Sequence, residues 1–165
     1  MSKNYQSVNN LKVSETFSDA IDVDFGKIDF KNIFCKNVNN DCFDISGGEV
    51  TGMYLEATNI DDKGISFGEE SIGKIDLVNL EKNYLAIAVK DGSDLLINEG
   101  NLINNKFDVS VFKKKNEFGN AKLVLNKTNK SDDLKALIGK KNEFLYDKIL
   151  NLNKVNNDFI YNLFY

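Results

Sequence analysis

Three acidic residues, Asp22, Asp24 and Asp44, and two lysines, Lys63 and Lys90, are the side chains whose types and spacing could do chemistry. Carboxylates are hard oxygen ligands of the kind calcium takes, with Ser46 or water completing the shell. A lysine near such an ion could serve as a general base. Ser66, Glu69, Asp91 and Lys113 join Asp22, Asp44 and Lys90 in a wider candidate ligand-binding set. The plainer reading has the acids solvated or paired, with Lys63 neutralising Asp41.

Other chemistries are excluded by absence. The chain has no His and, by inspection, no Arg, so imidazole catalysis, imidazole metal ligation and bidentate guanidinium recognition do not arise. A lysine base would need to fall well below its ordinary value of about 10.4, and an exposed face offers little burial to achieve that. The net charge of -4 argues against a nucleic-acid surface. No apolar run reaches the length of a membrane span, and MSKNYQSVNN lacks the apolar core of a signal peptide. Localisation stays open, and a cell-surface or extracellular site requires the chain to belong to a larger exported protein.

A repeat would bring the candidate residues together. DAIDVDF, DCFDISG, KGISFGE, LAIAVKD and FDVSVFK follow one another at 22-residue spacing. They align Ile21, Phe43, Ile65, Ile87 and Val109 in one apolar file and Val23, Ile45, Phe67, Val89 and Val111 in another. Alternation within each segment is the period of a strand with one buried face, and a repeat of this length suits a stacked solenoid. Leu11, Ile33, Leu55 and Leu77 make a second expected core file, and Ile28, Val50 and Ile72 a third. Asn39, Asp61, Asn83 and Asn105 are expected at one corner, taking left-handed backbone and bonding to the next coil. Coils about 4.8 Å apart would set Asp22 over Asp44, where two carboxylates repel unless a cation intervenes.

SDAIDVDF, NDCFDISG, DDKGISFGEES, AIAVKDGS and KKKNEFG, over roughly residues 11–126, resemble the right-handed parallel β-helix repeats of pectate-lyase-like proteins. Within that fold they are similar to the β-helix region attached to CotH-type kinase domains of bacterial surface proteins. The resemblance implies an all-β fold, a right-handed parallel β-helix of about five 22-residue coils with a short C-terminal helical cap. It implies a polysaccharide as ligand and, for a lyase of this fold, calcium. The arginine base of calcium-dependent pectate lyases has no counterpart here.

The expected organisation is one domain, with the β-helix over 1–130 and the cap over 131–165. Ser131 is an expected N-cap for a short helix through SDDLKALIG, NEFLYDKIL an expected strand, and NNDFIYNLFY a terminal helix presenting Phe159, Ile160, Leu163 and Phe164. The N-terminal coil is an expected seat for an upstream domain or a stacked protein. Cys35 and Cys42 fall at non-equivalent positions and are expected as buried free thiols. KKKNEFGN is expected as a solvated loop. The expected function is a noncatalytic binding or spacer module, saccharide-binding, of a larger surface-associated protein that requires no cofactor. A calcium-assisted polysaccharide lyase and an assembly module stacking through the N-terminal coil are the alternatives.

Overall fold

The computed structural model describes residues 4–151 and 153–165. Long strands β1 (Tyr5–Thr16), β3 (Lys27–Val38), β5 (Glu49–Ile60), β7 (Ile72–Glu81), β9 (Asp94–Ile103) and β11 (Lys122–Lys130) alternate along the chain with short ones. The short strands are β2 (Ile21–Asp24), β4 (Phe43–Ser46), β6 (Lys63–Gly68), β8 (Leu85–Lys90), β10 (Phe107–Phe112) and β12 (Ala136–Ile138). Long strands pair in parallel in chain order and end on β13 (Glu143–Tyr146), whose free edge takes β14 (Ile149–Leu150) antiparallel. Short strands pair in parallel from β2 to β12. One long and one short strand per turn give a β-solenoid of about six turns, followed, among the described residues, by one short helix, α1 (Asn157–Phe164). No helix among the described residues is long and apolar enough to cross a membrane.

The alternation of apolar and polar residues fixes which side faces inward. In β3 the buried residues Ile28 and Phe30 alternate, the phase then shifts by one, and Ile33, Cys35 and Val38 follow. Long strands therefore supply two walls of each coil and short strands the third. Large and small residues complement one another between coils: a Cβ at Gly52 would lie 2.1 Å from the Phe30 ring, which Gly alone admits. Phe30 in turn meets Phe43 edge-on at 5.6 Å across the core.

Both apolar files of the short strands lie in register, Ile21 on Phe43 on Ile65 on Ile87 on Val109, and Val23 through Val111 likewise. The other two files differ from the expected ones. Leu55 pairs with Val78 rather than Leu77, and Val50 with Gly73 rather than Ile72, whose side chain is 60% exposed. The corner after β6 holds one residue more than the corner after β4, with Glu69 and Glu70 both left-handed. The corner before β8 holds one fewer than that before β6, so the coil length stays at 22 while the phase of the long strands slips by one.

The corner asparagines also divide. Asn83 and Asn105 do bond between coils, Asn105 Oδ1 accepting from the Asn83 N–H at 3.0 Å and Asn83 Oδ1 from the Ile60 N–H at 3.1 Å. Left-handed backbone falls instead at Glu15, Asn37, Asn59, Lys82 and Asn104. Asn39 and Asp61 are exposed.

Two further expectations are corrected. Cys35 and Cys42 are joined by a disulfide, not free, because the turn from β3 into β4 brings their Cα atoms within 5.8 Å inside the core. SDDLKALIG forms no helix. Its Ala136–Ile138 pairs with Val109–Val111, and the Lys135 carbonyl accepts from the Asp108 N–H, so sheet pairing overrides the local helical signal. NEFLYDKIL gives β13, a turn and β14.

Candidate functional site

The terminal helix forms where expected, but it packs against the side of the solenoid. Asn156 caps it by accepting from the Asp158 N–H at 2.8 Å. Val155 reaches it by bridging Gly139, and Asn157 Oδ1 accepts from the Lys113 N–H at 2.9 Å. Ile160 and Phe164 then bury against Leu85, Ala88 and Phe112 on the outward side of the short strands. Tyr84, Phe107 and Phe164 make a three-ring edge-to-face cluster with centroids 5.3–6.0 Å apart. Phe159 and Leu163 remain exposed.

This packing covers much of the face on which the candidate ligand-binding residues stand. Ser66 is fully buried and its Oγ accepts from Lys90 Nζ at 2.6 Å. Asp91 is buried, and its Oδ1 accepts from the N–H groups of Lys114 and Lys115 at 2.7 Å each, fixing the loop after β10. Glu69 forms an ion pair with Lys115. Lys113 is half-buried beside α1. Lys63, 3% exposed, donates to Asp62 Oδ2 at 2.6 Å and lies 3.4 Å from Asp41 Oδ1, one coil earlier.

Tyr165 completes the cover. Its ring centroid lies 3.6 Å from Lys114 Nζ, 4.8 Å from Lys63 Nζ and 5.8 Å from Lys90 Nζ. A ring face attracts cations, so one side chain binds three ammonium groups that would otherwise repel. Desolvation, with Asp41, Asp62 and Asp44 nearby, pushes the Tyr165 phenol above the ordinary range, although the residue as a whole is 48% exposed. Burial, followed by Lys90 and Lys63, lowers Lys114. Burial also pushes Asp41 up to about 7, against the pull of Lys63. Burial alone would lower Lys63, but Asp41, Tyr165 and Asp62 together hold its ammonium above the ordinary value.

Asp22 and Asp24 stand exposed on the first coil, with Asp22 paired in register with Asp44 and Asp24 with Ser46. Partial desolvation raises Asp22 even so, and Asp24, Asp44 and Asp19 raise it further. Asp44 is half-buried, and its Oδ1 has no hydrogen-bond partner. Among the described residues, no three His, Cys, Asp or Glu side chains come together in a metal-holding group.

The second polar surface was missed in the sequence. On the outward side of the long strands, Asn129 Nδ2 donates to Asn101 Oδ1 at 2.8 Å, and Asn101 Nδ2 donates to Asn79 Oδ1. Asn79 Nδ2 donates to Tyr54 Oη at 2.7 Å, and Tyr54 Oη donates to Glu56 Oε2 at 2.6 Å. Burial and then Glu56 push the Tyr54 phenol up to about 12. Asn126, Asn98 and Asp76 form a parallel file, and Asn59, Asn37 and Glu15 a third. Each file donates from later coils to earlier ones and ends on a carboxylate. Asn37 and Asn59, Asp76 and Asn98, and Asn79 and Asn101 each stand 22 apart, so the spacing that revealed the core would have revealed them. An open groove of about 390 Å³ runs along this surface, lined by Glu56, Thr58, Asn79, Glu81, Asn101 and Ile103.

The chain matches no family model, no curated protein and no solved structure.

Proposed function

We propose that the chain is a noncatalytic β-helix binding module of a larger surface-associated protein, and that the long-strand face holds an extended neutral saccharide. The carrying observation is the Tyr54–Asn79–Asn101–Asn129 file. A carboxamide has two N–H donors and two acceptor lone pairs. Asn79 and Asn101 each commit one of each to their neighbours, whereas Asn129, at the end of the file, donates to both Asn101 Oδ1 and Glu99 Oε1. Asn79 and Asn101 each keep one donor and one acceptor for the hydroxyls of a ligand, on adjacent coils at about the 4.8 Å spacing of strands. Phe34 and Tyr54, edge-on at 5.6 Å, add apolar surface beside the groove. Glu81 and Glu99 are paired with Lys82 and Lys127, and Glu56 accepts from Tyr54, so the face offers amides rather than free cations, which favours a neutral chain over a polyuronate.

The buried disulfide suits an oxidising compartment, as a surface protein requires. Likeness to pectate-lyase-like β-helices and to the β-helix regions beside CotH-type kinases points the same way. A calcium-assisted lyase has less support, because Lys63 and Lys90 lie under α1 and Tyr165 rather than open to a polymer.

Native affinity electrophoresis through gels carrying soluble β-glucan, xylan, mannan or polygalacturonate tests the reading. Retardation by at least one neutral polysaccharide, weakened in Asn101→Ala, supports it. Unretarded migration in all of them, or retardation by polygalacturonate alone, refutes it.

A further inference from the structure

Asp41 and Lys63 are register partners on the second and third coils, at the outward start of the short strands. Asp41 is held in place by its own N–H donating to Asp19 Oδ1 at 2.9 Å and by Oδ1 accepting from the Lys63 N–H at 3.0 Å. Lys63 Nζ lies 3.4 Å from that same Oδ1. Both side chains are shut away from water, at 3% and 7% exposure, under the Tyr165 ring.

We propose that Lys63 Nζ and the Asp41 carboxyl condense into an intramolecular isopeptide bond that ties the second coil to the third, with Asp62 carrying the proton. Nζ and the Asp41 carboxyl are already in contact, 3.4 Å apart at Oδ1, so the translational entropy of meeting has been lost in folding. The resting Lys63 is an ammonium held by Asp41, Tyr165 and Asp62, so the amine forms only transiently, as Asp62 Oδ2, 2.6 Å from Nζ, takes its proton, and this transfer limits the rate. The amine attacks the carbonyl carbon of protonated Asp41, a C–N bond forms, and a C–O bond breaks to release water. The reactants are one ammonium, one Asp62 carboxylate and one Asp41 carboxylic acid. The products are one amide, one water and a protonated Asp62, so atoms and charge balance with no outside reagent.

Burial favours the protonated acid that this step needs, since it raises Asp41. It also supplies the drive: a buried ion pair is expensive to desolvate, whereas an amide carries no charge. Burial of both side chains, with the Tyr165 ring over Lys63, then opposes hydrolysis. Asp44, with an unpartnered buried Oδ1 near Asp41, adds to the pressure on Asp41 to stay neutral.

The experiment is the intact mass of the purified, fully reduced chain, followed by a tryptic map. The wild type is expected to be lighter than its sequence by one water. Trypsin is expected to leave residues 37–74 uncut at Lys63, with the missing water in that peptide. Lys63→Arg is expected to regain the full mass, and Asp62→Ala to form the bond more slowly. A wild type at its full sequence mass overturns the proposal whatever the variants do. Water loss that persists in Lys63→Arg also overturns it, by assigning the loss elsewhere, for example to an imide at Asp91–Gly92. Formation at the wild-type rate in Asp62→Ala overturns the role given to Asp62.

Discussion

Lys114 Nζ sits 3.6 Å from the centroid of the Tyr165 ring, which joins the loop after β10 to the segment that covers the short strands. That contact, with Phe164 in its three-ring cluster, makes the terminal helix part of the solenoid's side wall. Phe164→Ala should lower stability by about 3 kcal/mol, the usual cost of removing a buried phenyl. Phe159→Ser, at an exposed position of the same helix, should change it by less than about 0.5 kcal/mol. Urea denaturation of the two variants checks both.

Asp41 gives a pH signature in any chain whose Asp41 and Lys63 side chains are not yet joined. Its folded value near 7 stands above its ordinary 3.8. Between those two values the folded state holds a proton that the unfolded state has lost. Stability from this group is therefore fully present below its unfolded value and declines as pH rises toward 7. Melting temperatures of Lys63→Arg, which cannot form the bond, should show the decline across this window, and Lys63→Arg with Asp41→Asn should flatten it. Joining Lys63 to Asp41 removes both titrating groups, so the bonded wild type should be flat as well.

The disulfide closes a short loop inside the core. Cys35→Ala with Cys42→Ala should cost about 2 kcal/mol, from the loss of a constraint on the unfolded chain. Alkylation in denaturant should detect no free thiol in the untreated protein. Two free thiols would refute the pairing.

What the sequence made legible was what repeats in phase. The files through Ile21 and Val23 keep one register over five coils because those strands face a common core, and they lie where the spacing puts them. Ile72 and Leu77 fail for a physical reason: Glu69 and Glu70 take up an extra corner residue, and the following corner gives one back, so a fixed spacing hides the slip. Ala88 illustrates a different loss. The run Leu85–Val89 is buried on both sides, and its unbroken apolar character was the signal that something would cover the outer face. The disulfide was illegible because Cys35 and Cys42 meet across a turn rather than along a file.

Packing between coils supplies a further test of the fold. Gly52→Ala would press a Cβ to within 2.1 Å of the Phe30 ring, and should cost about 1–3 kcal/mol through overpacking. Pairing it with Phe30→Leu should recover part of that loss, as a thermal-denaturation cycle would show.

The central claim is that the amide-laddered long-strand face, not the helix-covered short-strand face, takes the ligand. Its most direct test is a titration of the best-retarded neutral polysaccharide by calorimetry against wild type, Asn79→Ala with Asn101→Ala, and Lys113→Ala. The account predicts saccharide binding that falls at least about tenfold, roughly 1.4 kcal/mol, in the asparagine variant and is unchanged in Lys113→Ala. Undiminished binding in the asparagine variant, or loss of binding in Lys113→Ala alone, would contradict it.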